Sequence, residues 1–576
     1  MRKILACIIG ATVLGCGGVR HAPTPAPVIR GAPSIPASWT LRSQPVTAPH
    51  AMVVTAHPLA TEAGVEILKQ GGNAIDAAVA VGFALEVVLP FAGNIGGGGF
   101  IVHRTASGEV SALDYREAAP SGATRNMYVD SAGNVTDKSL IGYLASGVPG
   151  SVAGLHEAWK RYGSLPWATV LAPAIRLAQG HVIDTARSRN IYYDRELLAR
   201  FPASRAQFLV NDSAPAPGSL WKQPDLARTL QLISDSGPDV FYRGQIADLI
   251  VAEMQRGGGL ITKADLRAYQ AKWRTPVQLT YRGYTIYSMP PPSSGGVTMG
   301  EILNILEGYD TIPAFGTPAH VHLLTEAMRR AFIDRNHWLG DPDFVQMPLE
   351  RLLSKSYAAS LRSQIDPQHA TPTPPQATSG DEAMNTTHYS IVDAKGNAAA
   401  VTTTLNGGFG SGVTVTGAGF LLNNEMDDFT SAPGKPNMFG LVQGEANAIQ
   451  PGKRMLSAMT PSIVLDKSGQ LQMVLGTPGG PTIITSVTQV ILDVLDQRMT
   501  VSAAMAAPRI HHQALPDVTR YEDGGFSDAT LEALKHMGHR MEPWRGRQGI
   551  VEAIQRSAGG WIGVSDPRAA GRALGY

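Results

Sequence analysis

Cysteine is almost missing: Cys7 and Cys16 are the only two in 576 residues, and both sit at the N-terminal end. A disulfide within the body is therefore excluded. Charge bias is missing too. Charged residues make up 16% of the chain and the formal net charge is +1, so neither nucleic acid nor an anionic surface is indicated as a partner. No His-Glu-x-x-His occurs, and the pair His511-His512 lacks metal spacing and reads as structural. Gly96-Gly97-Gly98-Gly99 is not followed by Gly-Lys-Ser/Thr or by a dinucleotide fingerprint. Close backbone packing is the better reading of those glycines. No cofactor is implied. Long apolar runs are also lacking: positions 4–14 are too short to span a bilayer, and the apolar stretch 74–89 holds Asp76 and Glu86.

What is present begins with Met1-Arg2-Lys3, the apolar run 4–14 and Val13-Leu14-Gly15-Cys16. This predicts a secretory signal over 1–16, of lipoprotein type with Cys16 lipidated, or else a plain cleaved signal. Either way the protein is exported. A lipid anchor would hold it in the periplasm on the outer membrane, its only contact with a membrane. A Pro-rich tether spans 17–48, and the globule is expected from position 49.

Helical spacing over 59–70 stops at Gly71-Gly72, and Asn73 caps a second helix over 74–89 that ends before Pro90. The region 147–341 is mostly helical. It includes a strand-like piece at 277–289 and an amphipathic helix at 321–338. A loose segment, 366–384, follows. Arg116, alone at a strand end, reads locally as a surface residue. The polar turn 423–428 reads as a solvated loop or a cation site without calcium-loop rhythm, and 434–446 is long enough to be a lid. Gly476-Thr477-Pro478-Gly479-Gly480 before a helix offers successive N–H groups to an anion.

The chemistry centres on Asn385-Thr386-Thr387-His388-Tyr389-Ser390. The loose segment meets a predicted hairpin there, with strands on either side of Lys395-Gly396-Asn397. Were the chain cut between Asn385 and Thr386, Thr386 would carry a hydroxyl and a free α-amine. That amine titrates near ~8, so it can take the hydroxyl proton. In the uncut chain the same nitrogen is an amide and no base.

These residues, with 71–78, 92–100, 147–150, 290–296, 339–342, 423–429 and Thr477-Pro478-Gly479-Gly480, resemble the γ-glutamyltransferases of the N-terminal-nucleophile superfamily. The resemblance runs from about position 52 to 576. It implies an α+β fold, a four-layer αββα sandwich, self-cleaved into a large chain (49–385) and a small chain (386–576) that stay together as a heterodimer. It implies transfer of the γ-glutamyl group of glutathione or a related amide, through a Thr386 acyl-enzyme, to water or to an amino acid or peptide. Thr404 would orient Thr386, while Gly479 and Gly480 would hold the oxyanion. Arg116 and Ser457 would bind the α-carboxylate, and Asn406, Glu425 and Asp428 the α-ammonium. Three positions depart from the family: Ala458 stands where a second serine is usual, Met455 where proline is, and Phe439 where tyrosine is. A weaker grip on the head group is the expectation. Two other readings remain open: a glutaryl-cephalosporin acylase on the same scaffold, and a lipid-anchored solute-binding protein that neither cuts nor turns over.

Overall fold

The structure, a computed structural model, describes residues 34–373, 386–432, 434–544, 546 and 548–576. The signal with Cys16, the first part of the tether and Asn385 lie outside the described residues.

Two seven-stranded sheets form the centre. One runs, edge to edge, Arg572–Gly575, Met52–Thr55, Thr386–Val392, Ala398–Thr404, Gly98–Arg104, Val110–Asp114 and Lys272–Arg274. The other runs Val46–Ala48, Gly560–Ser565, Glu552–Ser557, Leu471–Gly476, Ser462–Leu465, Tyr284–Ser288 and Val277–Tyr281. Alternation along each strand decides which face a residue serves. Tyr389 and Ile391 pack beneath the helices Pro58–Lys69 and Ala74–Val88, whereas Val392, Ala398 and Ala400 pack between the sheets with Ile463, Val474 and Ile554. Helices Gly295–Glu307, Pro318–Trp338 and Thr482–Leu495 cover the second sheet. The expected four-layer αββα sandwich of the α+β class is what the chain forms.

The predicted hairpin is present, with Thr386 directly opposite Thr404. Its second strand lies against the glycine run. A Cβ built on Gly97 would sit 2.2 Å from the Thr404 carbonyl oxygen, and one on Gly99 would sit 2.4 Å from that of Thr402. Only glycine permits this approach. Ala74–Val88 starts as expected: the Asn73 side chain accepts from the Ile75 and Asp76 N–H groups, and Asp76 accepts in return from the Asn73 N–H. Every residue of that helix is buried, Glu86 included.

Four readings are corrected. The piece 277–289 is a hairpin, turned at Arg282 and Gly283 with φ of 52° and 84°. The helix Pro318–Trp338 is buried on its polar side as well, with His322, Glu326, Arg329, Arg330 and Arg335 all inside. The globule begins before position 49: Ser34 N–H donates to Phe315 O (2.8 Å), Trp39 Nε1 donates to Ala506 O (2.7 Å) and Val46–Ala48 forms a sheet edge. The start of the loose segment is pinned, with Thr371 N–H on Glu326 (3.1 Å) and Thr373 N–H on Asp517 (2.8 Å). The last residue closes on the first strands, because the Tyr576 carbonyl accepts from the N–H groups of His50 (2.9 Å) and Ala51 (3.2 Å).

Candidate active site

Thr386 opens its strand at one end of the sandwich, 8% exposed. Its hydroxyl donates to Thr404 Oγ1 at 3.2 Å, and Thr404 Oγ1 also accepts from the Asn406 N–H at 2.8 Å. The strand period carries His388 and Ser390 on the same inward face. His388 bonds Thr402 and Ser390, and Ser390 donates to Glu552 O. Burial holds the His388 imidazole down at about 3, so it is neutral and serves packing.

One pocket gathers Thr386, Thr404, Asn406, Arg116, Glu425, Asp428, Ser457 and Gly480. Gly479 precedes it, in the short loop between the strand Leu471–Gly476 and the helix Thr482–Leu495. Both glycines have positive φ, 137° and 54°, and neither N–H meets a protein acceptor among the described residues. Two unspent donors at a helix entrance suit a developing oxyanion.

Arg116 is fully buried, against its local reading as a surface residue. Its Nη1 and Nη2 pair with Glu425 and Asp428, its Nε donates to Met455 O (3.3 Å) and Glu117 lies 3.8 Å away. The turn Glu425–Asp428 is likewise buried, not solvated. The Asn423 amide fixes it, accepting from the Gly147 and Glu425 N–H groups and donating to the Gly96 and Gly147 carbonyls. Burial raises the Glu425 and Asp428 carboxyls against the pull of Arg116, and pushes Glu117 up to about 7. The groups expected to bind opposite ends of a head group thus pair with one another. Asn406 takes a left-handed φ of 75°, which sets its amide against Asn424 O (3.1 Å).

The lid folds over this pocket. Asn437 Oδ1 accepts from the Phe439 and Leu441 N–H groups, and Met438 N–H donates to Asp427 (2.9 Å). The Phe439 ring lies so close to Gly480 that a Cβ there would meet it at 2.7 Å. Phe439 offers no hydroxyl, and Met438 Sδ instead sits 3.6 Å from Asn406 Nδ2. Ser457 is clamped by the loop 290–296: its carbonyl takes both Ser294 protons and its N–H donates to Pro292 O. Ala458 lines the pocket beside it. Arg335, which the sequence reading passed over, lines it too. It stands one turn after Ala331 on the stripe of Leu324, Met328 and Ala331, and a cation on an apolar stripe was the available signal.

The family model for Gamma-glutamyltranspeptidase matches residues 60–576. The chain belongs to this family. The glutathione hydrolase proenzyme of Escherichia coli strain K12 is 46% identical over 547 residues, covering 93% of this chain and 94% of that one. The glutathione hydrolase proenzyme of Pseudomonas sp. strain A14 is 48% identical over 553 residues, covering 92% and 95%. Among solved structures, the cephalosporin acylase from Bacillus halodurans superposes with a TM-score of 0.82 at 30% identity, covering 94% and 99%. As a γ-glutamyltranspeptidase family member the chain is an enzyme of the N-terminal-nucleophile type. Among the described residues no helix is long and apolar enough to cross a membrane.

Proposed function

We propose that the chain is a γ-glutamyl hydrolase and transpeptidase, acting on glutathione and related γ-glutamyl amides after a cut between Asn385 and Thr386. One observation carries the reading: the Thr386 hydroxyl, bonded to Thr404, opens into a pocket walled by a buried arginine and two buried carboxylates. A zwitterionic head group is what such a wall matches. Arg116 uses three donors on Glu425, Asp428 and Met455 and keeps two for an α-carboxylate. Glu425 and Asp428 then hold the α-ammonium beside it.

The steps follow. The Thr386 α-amine takes the hydroxyl proton as Oγ1 bonds to the γ-carbonyl carbon, and the oxygen that becomes negative sits on the Gly479 and Gly480 N–H groups. The C–N bond breaks, the leaving amine takes the proton from the Thr386 ammonium, and an ester on Thr386 remains. Water or an amino acid then attacks the ester by the same route in reverse.

The acylase reading is favoured by Ala458 and by the likeness to a cephalosporin acylase. A glutaryl group brings no ammonium, however, and would leave the buried Glu425 and Asp428 without the cation a glutamyl head group supplies, a costly arrangement. The binding-protein reading gives Thr386 and Thr404 no task. N-terminal sequencing of the mature protein tests the cut: a second chain beginning Thr-Thr-His-Tyr is expected, and full turnover without it would end the proposal. Rates with glutathione, glutamine and glutaryl-cephalosporin, measured side by side, rank the substrates. We further infer export and an N-terminal lipid anchor at Cys16, supported by the basic start and the apolar run before it. Cys16→Ala should move the protein from a membrane pellet to the soluble fraction.

A further inference from the structure

Two guanidinium groups line the pocket, and they are matched differently. Arg116 lies among carboxylates. Arg335, 2% exposed, has only neutral partners. Its Nε donates to Ser294 Oγ (3.2 Å), and its Nη1 to Asn336 Oδ1 (2.9 Å) and Gln443 Oε1 (2.7 Å). Among the described residues no carboxylate lies within ion-pairing distance of it, and its Nη2 makes no hydrogen bond. Asp428 is the acid that acts on it from farther off. A buried cation without a counter-ion is an arrangement that folded proteins avoid, unless a ligand completes it. Burial brings the Arg335 guanidinium down to about 10, which leaves it charged at neutral pH.

The charges around Arg116 sharpen the point. With Glu117, Glu425 and Asp428 beside it, Arg116 meets an arriving carboxylate from among three acidic side chains that already engage it. A second cation makes that wall more attractive to an anion. Arg335 is also wired to the serine expected at the carboxylate: the Ser294 hydroxyl accepts from Arg335 Nε and donates to Ser457 O. Gln443, the acceptor of Arg335 Nη1, donates to Asp428 O (3.0 Å). Arg335 therefore belongs to the wall of Ser457, Ala458 and Asp428, where a serine hydroxyl is missing.

The geometry points to Arg335 as a second grip on the α-carboxylate of the γ-glutamyl donor, standing in for the hydroxyl absent at Ala458. This rests on the γ-glutamyl reading of the pocket. Nη2 supplies the contact, and Ser294 and Gln443 hold the plane of the guanidinium.

The test compares γ-glutamyl-p-nitroanilide with 4-aminobutyryl-p-nitroanilide, which lacks only the α-carboxylate. Both are run on the mature two-chain enzyme, wild type and Arg335→Gln. The variant should raise KM for the γ-glutamyl substrate about tenfold or more, with kcat held within about threefold. Its kcat/KM on the 4-aminobutyryl substrate should stay unchanged, and Arg335→Lys should recover part of the loss. Equal loss on both substrates, or no loss on either, overturns the assignment and leaves Arg335 a clamp between helix and lid. Should Arg335→Gln fail to self-cleave, Ser294→Ala carries the test. It should lower the preference for the γ-glutamyl substrate, and an unchanged preference overturns the proposal. Wild type inert toward every γ-glutamyl substrate would instead strike at the γ-glutamyl reading itself.

Discussion

At the scale of single residues, the proposed chemistry rests on Thr386 and Thr404, and the weaker grip expected from the resemblance rests on Ala458. Thr386→Ala should run as one chain on a denaturing gel and show no turnover. Thr404→Val removes the acceptor of both the Thr386 hydroxyl and the Asn406 N–H. It should lower kcat roughly tenfold to hundredfold, within the range for a misplaced catalytic proton path, with KM much less affected. Ala458→Ser would return a donor to the carboxylate wall. A hydrogen bond to a charged group is worth ~1.5–3 kcal/mol, so KM for γ-glutamyl-p-nitroanilide should fall about tenfold. An unchanged KM would count against a weaker grip on the head group at Ala458. Most of these residues were legible in the sequence because their motifs are local: Thr386 opens a strand and Gly479-Gly480 lies in the loop between a strand and a helix. Arg116 was misplaced on local grounds, since the carboxylates that bury it lie some three hundred positions downstream. Arg335 was missed because an arginine in a helix gives no sign of which neighbours it faces until the helix is packed.

At the scale of elements, periodicity and capping located the helices well. Asn73 with Asp76, and the stop at Pro90, fixed Ala74–Val88 to within a residue of the expectation. Polarity misled where a polar face was buried, as in Pro318–Trp338, whose charged residues pair within the fold: Glu326 with Arg329 and Arg330, and Arg329 with Asp517. Glu86 offers a test on the first helix. Burial raises its carboxyl from the ordinary 4.5 to about 8. The folded state then holds a proton that the unfolded state releases, so stability falls as pH rises between those values and levels off above about 8. Glu86→Gln removes that slope. Unfolding free energies from urea titrations at pH 5 and pH 9 should therefore lie closer together in the variant than in the wild type, by roughly 2–5 kcal/mol. Equal slopes in the two proteins would show that Glu86 reaches water.

At the scale of the whole molecule, the proposed cut would not divide the fold. In the sheet that holds Thr386, strands from after the cut lie between strands from before it: Met52–Thr55 and Gly98–Arg104 flank the hairpin 386–404. In the other sheet, strands from the first part occupy both edges. The mature pair should therefore co-elute as one heterodimer and unfold in one transition, followed by circular dichroism and by chain separation together. Early release of the small chain would contradict this weave. The sandwich itself was legible only through the family resemblance. Strand order across two sheets is set by pairings hundreds of positions apart, and no local pattern records them.

The closure of Tyr576 onto His50 and Ala51 has a practical outcome. Position 576 and the residues near position 50 are neighbours, so a few small residues can bridge them, while the cut proposed between 385 and 386 would supply the new opening. A circularly permuted gene could start translation at Thr386, run through the bridge and finish near position 373. Once its initiator methionine is trimmed, such a polypeptide would be born with its threonine amine free, and activity would arrive with folding instead of waiting on peptide-bond scission.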